Sequence, residues 1–592
     1  GPQILPAANL LMQHLEQRAW EPDALPARLQ PNATRLEKLA TRLHPGSHDA
    51  IGRALVAVSA AYAGKENLGE VEKATRARAE VMIVDSRLPP LAIYLVDTFT
   101  ADPKKAQAPH LLDLLVKISS RVGELDDGRK AKLVSGLLAF VRSQAGAADT
   151  PAAKAKLGKA SRLMASPGLV LRSEQLAAGL HEITEPPALA WAIKEIKSGP
   201  GFASQATLRS LADQAVKESP QRNAVYGTLL DGLDRLGGAS TPDTLASRLR
   251  ADSVAPVLAA LLAGMDPLNR ALAASGDPKV QAPLKRELSR AESILTTSGL
   301  PGIPLLLVTE LSADPKRPEA ETRFKLLARM PQRYRELDAA QQQVLFDAYC
   351  AFADARLTAD LKGPAKAMVE QAGTLLSTPR LPGMAPRFAG RLAKLKAGPQ
   401  ADWTARQLGR MKGKLDDTSI KTLCTYLSTG GENNALAGSL LLDHLEALAA
   451  PDKAEQLPSL LATDVQNALA GALRAQLERQ LALAEKPKGT AAAEQARMQD
   501  ILCAGRFPRV IHGFYEGLVK DPARPAADTY VELLAREPAR LVELSESQQG
   551  GLATALVSYL DTRSDVKQAD QAKQAMRLLN AAQLTPAISV IS

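Results

Sequence analysis

Four times along the chain a leucine stands before a polar residue able to cap a helix: Leu125-Asp126, Leu337-Asp338, Leu415-Asp416 and Leu544-Ser545. An Asp or Ser in that place accepts a hydrogen bond from a free first-turn N–H, so each pair predicts a helix start. Seven residues beyond the caps stand Leu133, Leu345, Leu423 and Leu552; eleven beyond stand Leu137, Tyr349, Leu427 and Leu556; fourteen beyond stand Phe140, Phe352, Gly430 and Tyr559. Steps of four and three keep such side chains on one helix face. A looser fifth copy begins at Leu43-His44, where Pro45 suits the first helical position and Ile51, Leu55 and Val58 follow. A chain that repeats one amphipathic helix in this way is poorly suited to a single closed core, because each unit shelters its apolar face on the next.

The rest of the sequence agrees with that restriction. Hydrophobic residues make up 45% and charged residues 23% of the 592, enough apolar material for a packed interior. Segments such as Leu133 to Phe140, Leu345 to Phe352 and Leu552 to Leu560 keep a helical period, and alternating runs long enough for a sheet are missing. Short Pro, Gly, Ser and Asp clusters at 145–151, 237–242, 313–318, 486–490 and 521–525 read as loops. A proline that ends or restarts a helix follows four of the caps by 41 to 45 residues, at Pro89, Pro167, Pro382 and Pro586. Successive caps are 82, 212, 78 and 129 residues apart, each within six of a multiple of 42.

Units of this length, two or three helices each, resemble the roughly 40 to 47 residues of HEAT and armadillo repeats. The expected fold is all-α, an irregular α-solenoid of stacked helical hairpins; the alternative is a large multi-helix bundle whose helices share caps. Four segments are expected: 1–125, 126–310, a basic one at 311–415, and 416–592. The Ala/Leu/Arg-rich style, irregular repeats and lack of catalytic motifs also resemble helical-repeat type III effectors of plant-pathogenic bacteria. That resemblance implies a chain secreted into a host cell to act on a host protein in immunity or trafficking, with a cytoplasmic role as the alternative. Gly1-Pro2 has the form of a tag-cleavage remnant, so a native targeting segment is not readable. No apolar run approaching the roughly 18 to 20 residues of a bilayer span is expected.

Reaction chemistry is weakly signalled. A P-loop, a dinucleotide fingerprint and a zinc-protease motif are missing, and His181 to Glu185 lacks the second histidine that HExxH requires. The seven histidines, His14, His44, His48, His110, His181, His444 and His512, are scattered. Cys350, Cys424 and Cys503 have no CxxC or Cys/His partner, which argues against a disulfide scaffold or a zinc module; Arg506 and Arg509 follow Cys503. No cofactor, metal or catalytic residue is assigned. An enzyme whose site is assembled from distant residues stays open as an alternative function.

Charge gives the functional expectation. The net charge is +9, and between Arg380 and Lys414 nine basic residues face only Asp402. Arg387, Arg391 and Lys394 share one helical spacing and Arg406, Arg410 and Lys414 repeat it, so two neighbouring helices would align a basic ridge. The ridge is expected to attract a protein with an acidic surface, with anionic lipid as a further partner for a membrane-tethering rod. Only Trp403 accompanies it, which argues against nucleic acid. Trp20 and Trp191 join Trp403 as candidate aromatic anchors. The leading function is a non-enzymatic scaffold that binds a partner protein.

Overall fold

The computed structural model describes residues 4–20, 36–63, 65, 67–147, 150–170, 172–238, 242–358, 361–378, 381–411, 413–482, 489–563, 569–581 and 584. Among these the chain runs helix after helix with no strand. All four caps form. Asp126, Asp338 and Asp416 each accept a first-turn N–H at 2.8 Å, from Arg129, Gln341 and Ser419, and Ser545 accepts that of Gln548 at 3.3 Å. Gln341 and Gln548 return a bond to the cap's own N–H, closing the reciprocal box. The fifth helix starts at Pro45, where His44 Nδ1 accepts the Gly46 N–H at 3.1 Å. In the four capped copies the apolar positions are buried, except Gly430, which ends its helix at φ 81°. Pro89, Pro167 and Pro382 stand in turns between helices, and Pro586 lies outside the described residues.

A longer repeat, which cap spacing alone does not reveal, surrounds three of these caps. Segments 87–142, 299–354 and 506–561 align without a gap. Each holds a leading helix (Leu91–Ala101, Ile303–Ala313, Val510–Lys520) and a middle helix (Ala108–Lys117, Ala320–Ala328, Ala526–Arg536). A 3-10 elbow (Ser119–Glu124, Pro331–Glu336, Pro538–Glu543) then delivers the capped helix (Asp127–Gln144, Ala339–Asp354, Glu546–Thr562). Each elbow carries Arg-x-x-Glu: Arg121 pairs with Glu124 at 3.0 Å, Arg333 with Glu336 at 2.7 Å and Arg540 with Glu543 at 2.6 Å. These arginine side chains are only 9–11% exposed. Arg121 also donates to the Leu88 carbonyl at 2.6 Å, and Arg540 to the equivalent Phe507 carbonyl at 3.0 Å. The elbow is thereby clamped to the turn before its own leading helix.

By its contacts the chain divides into two units, Gly1–Ile303 and Pro304–Ser592. In the first, Pro45–Ala63 packs on Leu91–Ala101, and the row continues through Asp127–Gln144, Arg172–Gly179, Gln205–Val216 and Ala251–Ala274. Glu70–Asp85, Ala108–Lys117 and Pro151–Met164 form a second row beside it. In the second unit one row runs Met384–Leu392, Asp417–Thr429, Thr463–Leu481, Val510–Lys520 and Glu546–Thr562. The other runs Pro399–Gly409, Asn434–Leu448, Thr490–Ala504, Ala526–Arg536 and Ala569–Leu579. Within each unit a helix therefore packs on its chain neighbour and on the next but one. This is the solenoid arrangement; a bundle would bring helices distant in sequence around one core.

The helix Ala251–Ala274 is long and apolar enough to cross a membrane by length and composition. In the structure it is packed as core: Val257, Leu261, Met265 and Leu268 are fully buried, and Tyr226 donates to the Leu261 carbonyl at 3.0 Å. Gly264 makes that approach possible, since a Cβ there would stand 2.1 Å from the Tyr226 ring.

Candidate functional site

The basic segment is a fourth, shortened version of the same repeat. Leu381-Pro382-Gly383-Met384 occupies the place of Leu88-Pro89-Pro90-Leu91, and Gly383 turns the chain at φ 72° into the helix Met384–Leu392. The helix Pro399–Gly409 follows, then the Asp416-capped helix Asp417–Thr429. Both basic helices end sooner than the periodicity predicts, so Lys394 and Lys414 lie beyond them and leave the helical row. Where the other copies carry the clamp's Arg and Glu, this one has Met411 and Lys414. Gly413, at φ 75°, donates its N–H to His444 Nδ1 at 3.0 Å instead. His444 is buried, and burial pulls its imidazole down to about 4, so the ring stays neutral and its Nδ1 is free to accept.

The predicted ridge is largely paired, by carboxylates from preceding helices. Arg391 reaches Asp354 at 2.6 Å and Thr404 at 3.2 Å. Arg410 bonds Glu370 at 2.6 Å, and Arg406 lies 3.6 Å from the same carboxylate. Arg387 is half-buried and donates to the Ala339 carbonyl at 3.2 Å; burial draws its guanidinium below the ordinary arginine range. Lys394, Lys396 and Lys414 are exposed with no ion pair among the described residues, and Arg406 is the most exposed of the arginines with a described partner here. Arg380 and Lys412 lie outside the described residues. Among the described residues the outward charge thus rests on three lysines and Arg406, rather than on two continuous arginine rows. Asp354 and Glu370 belong to earlier helices, and for that reason the local charge count passes over them.

Two of the three tryptophans are core residues. Trp403 is fully buried, edge-on to Phe388 at 6.0 Å, and its indole N–H meets the Val369 carbonyl at 3.3 Å. Trp191 is 7% exposed and donates to Ser161 at 2.9 Å. Neither offers an exposed ring to a partner, because each fills the gap between stacked helices. The Trp20 side chain lies outside what is described.

Among the described residues the candidate catalytic groups are not brought into a working constellation. Burial pushes the thiols of Cys350 and Cys424 up to about 12 and that of Cys503 up to about 11, far from the thiolate a nucleophile needs. Arg536 and Arg540 pull Cys503 the other way, and burial outweighs them. Ser59, His110 and Glu80 come together, but both contacts, at 2.8 and 3.4 Å, fall on His110 Nε2. A relay would use both ring nitrogens. Ser59 is moreover fully buried.

No protein-family model matches the chain, and no curated protein sequence matches it. Solved structures similar to it include SYS-1 (13% identity, 96% of this chain and 99% of that one, TM-score 0.20). Kap121p is 12% identical over 99% of this chain and 76% of that one, with a TM-score of 0.20. She4p is 12% identical over 100% and 94%, with a TM-score of 0.21. Values this low constrain neither arrangement nor activity, and the fold stands on the internal copies and the row packing.

Proposed function

We propose that the chain is a non-enzymatic helical-repeat scaffold that docks a partner protein with an acidic surface on the face bearing Lys394, Lys396, Arg406 and Lys414. One observation carries the reading: the fourth copy replaces the clamp's Arg and Glu by Met411 and Lys414, and Lys394, Lys396 and Lys414 face solvent with no carboxylate partner among the described residues. Unpaired charge of one sign raises the encounter rate with an oppositely charged surface and is sensitive to salt.

The test is a quadruple reversal of those four residues to Glu, sparing Arg387 and Arg391 because they hold the Ala339 carbonyl and Asp354. Capture of an acidic model protein, and of host-lysate proteins against wild type, should fall at least tenfold with helicity unchanged. Undiminished capture rejects the face, and salt-sensitive binding to anionic vesicles but not to protein turns the reading to lipid. The effector role rests on compositional style alone; a reporter-fusion delivery assay in a bacterium with a type III system decides it.

A further inference from the structure

The second unit contains a cleft of about 560 Å³ between the helices Thr463–Leu481 and Val510–Lys520, lined among others by Asn467, Arg474, Arg509, His512, Gly513 and Glu516. Its volume falls in the range of roughly 300 to 1,000 Å³ usual for small-molecule sites. The internal copies show what has changed here. At the place of Arg509 the other copies have Pro90, Gly302 and Gly383, and at that of His512 the gap-free copies have Ile93 and Leu305. Where those two carry Tyr94 and Leu306 this one has Gly513, and the Arg474 guanidinium takes the vacated space: a Cβ on Gly513 would stand 1.9 Å from its Nη1.

Arg509 also adopts φ 64°, a left-handed conformation that its glycine counterparts occupy without strain. It has no ion pair among the described residues, and Arg474 has only a distant one, 3.9 Å from Glu478 on its own helix. His512 Nδ1 is buried without a hydrogen-bond partner. Apolar or flexible positions have thus become donors lining one cavity, with Glu516 as the only acid lining it among the described residues.

We propose that this cleft binds an oxyanion, a phosphate or carboxylate group of a small ligand, held by the forks of Arg474 and Arg509 with His512 as a further donor. The inference does not depend on the protein-docking face.

Calorimetric titration of the full chain with inorganic phosphate and with citrate, at constant ionic strength against chloride, tests it. Saturable binding of either is expected; a response to phosphate alone or to citrate alone distinguishes the two sources. Arg509→Gly should weaken binding at least tenfold while leaving the melting temperature equal or higher, since glycine takes this backbone conformation freely. Arg506→Gly relieves the same kind of strain at φ 47° outside the cleft and should leave binding unchanged. Arg474→Gln provides a second loss variant that keeps the turn intact. Phosphate and citrate binding no better than chloride, or Arg509→Gly and Arg474→Gln binding as wild type, overturns the proposal.

Discussion

The second copy, 299–354, and the basic copy that starts at Leu381 share a turn, a leading helix and a capped helix, yet they treat the cations around the elbow before the cap differently. In the second copy Arg333 grips Glu336, and Arg356 just beyond lies 3.7 Å from the Phe352 ring centre and donates to the Pro315 carbonyl at 2.9 Å. The third copy repeats this with Arg563 over Tyr559 and 2.9 Å from Asp528. Positive groups there brace the repeat. In the basic copy the clamp residues are absent, neutral His444 pins the loop, and lysines are left outside. A count of charges therefore does not measure available surface; what matters is how many of them the repeat consumes internally.

If that contrast holds, the basic copy depends for rigidity on its apolar centre. Trp403→Ala should be the most damaging change, with about 4 kcal/mol lost in denaturant unfolding. A loss below about 1 kcal/mol would show that Trp403 is not the core of this copy. Breaking a clamp comes next. Arg540→Ala leaves Glu543 and the Phe507 carbonyl without their partner, and about 3 kcal/mol should be lost, whereas Met411→Ala in the unclamped copy should lose less. Equal losses at the two sites would erase the distinction between the copies.

The smallest effect is the response to acid. The His444 pKa is depressed to about 4 in the fold, so between about pH 6.5 and 4 the unfolded chain binds a proton there that the folded chain refuses. Its contribution is complete above pH 6.5 and is lost as pH falls through this window, by roughly 1.4 kcal/mol at pH 5.5. Stability measured against pH for wild type and His444→Asn should converge toward acid in this window; parallel curves would exclude His444 as the group that titrates.

Some of this was legible from residues alone. Asp126, Asp338, Asp416 and Ser545 cap as expected, because a cap is a bond between near neighbours. The buried face followed from the three- and four-residue steps. The ungapped copies were also present in the sequence, but comparing caps one by one hides them; Arg-x-x-Glu-Leu before Asp126, Asp338 and Ser545 was the missed signal. The basic face was legible only in part. Arg391 and Arg410 looked free because their carboxylates, Asp354 and Glu370, lie 37 and 40 residues away. Trp403 looked like an anchor because its buried neighbours come from other helices.

What the sequence determined by itself is the series of capped amphipathic helices, since hydrogen bonds and periodicity within a few turns suffice to specify them. Which cations remain outside, which aromatics disappear into the stack and where a polar cleft opens were decided only by the tertiary structure. The reason is the stacking itself, which sets each helix against residues about one repeat away and so chooses, for every charged side chain, between a buried partner and water.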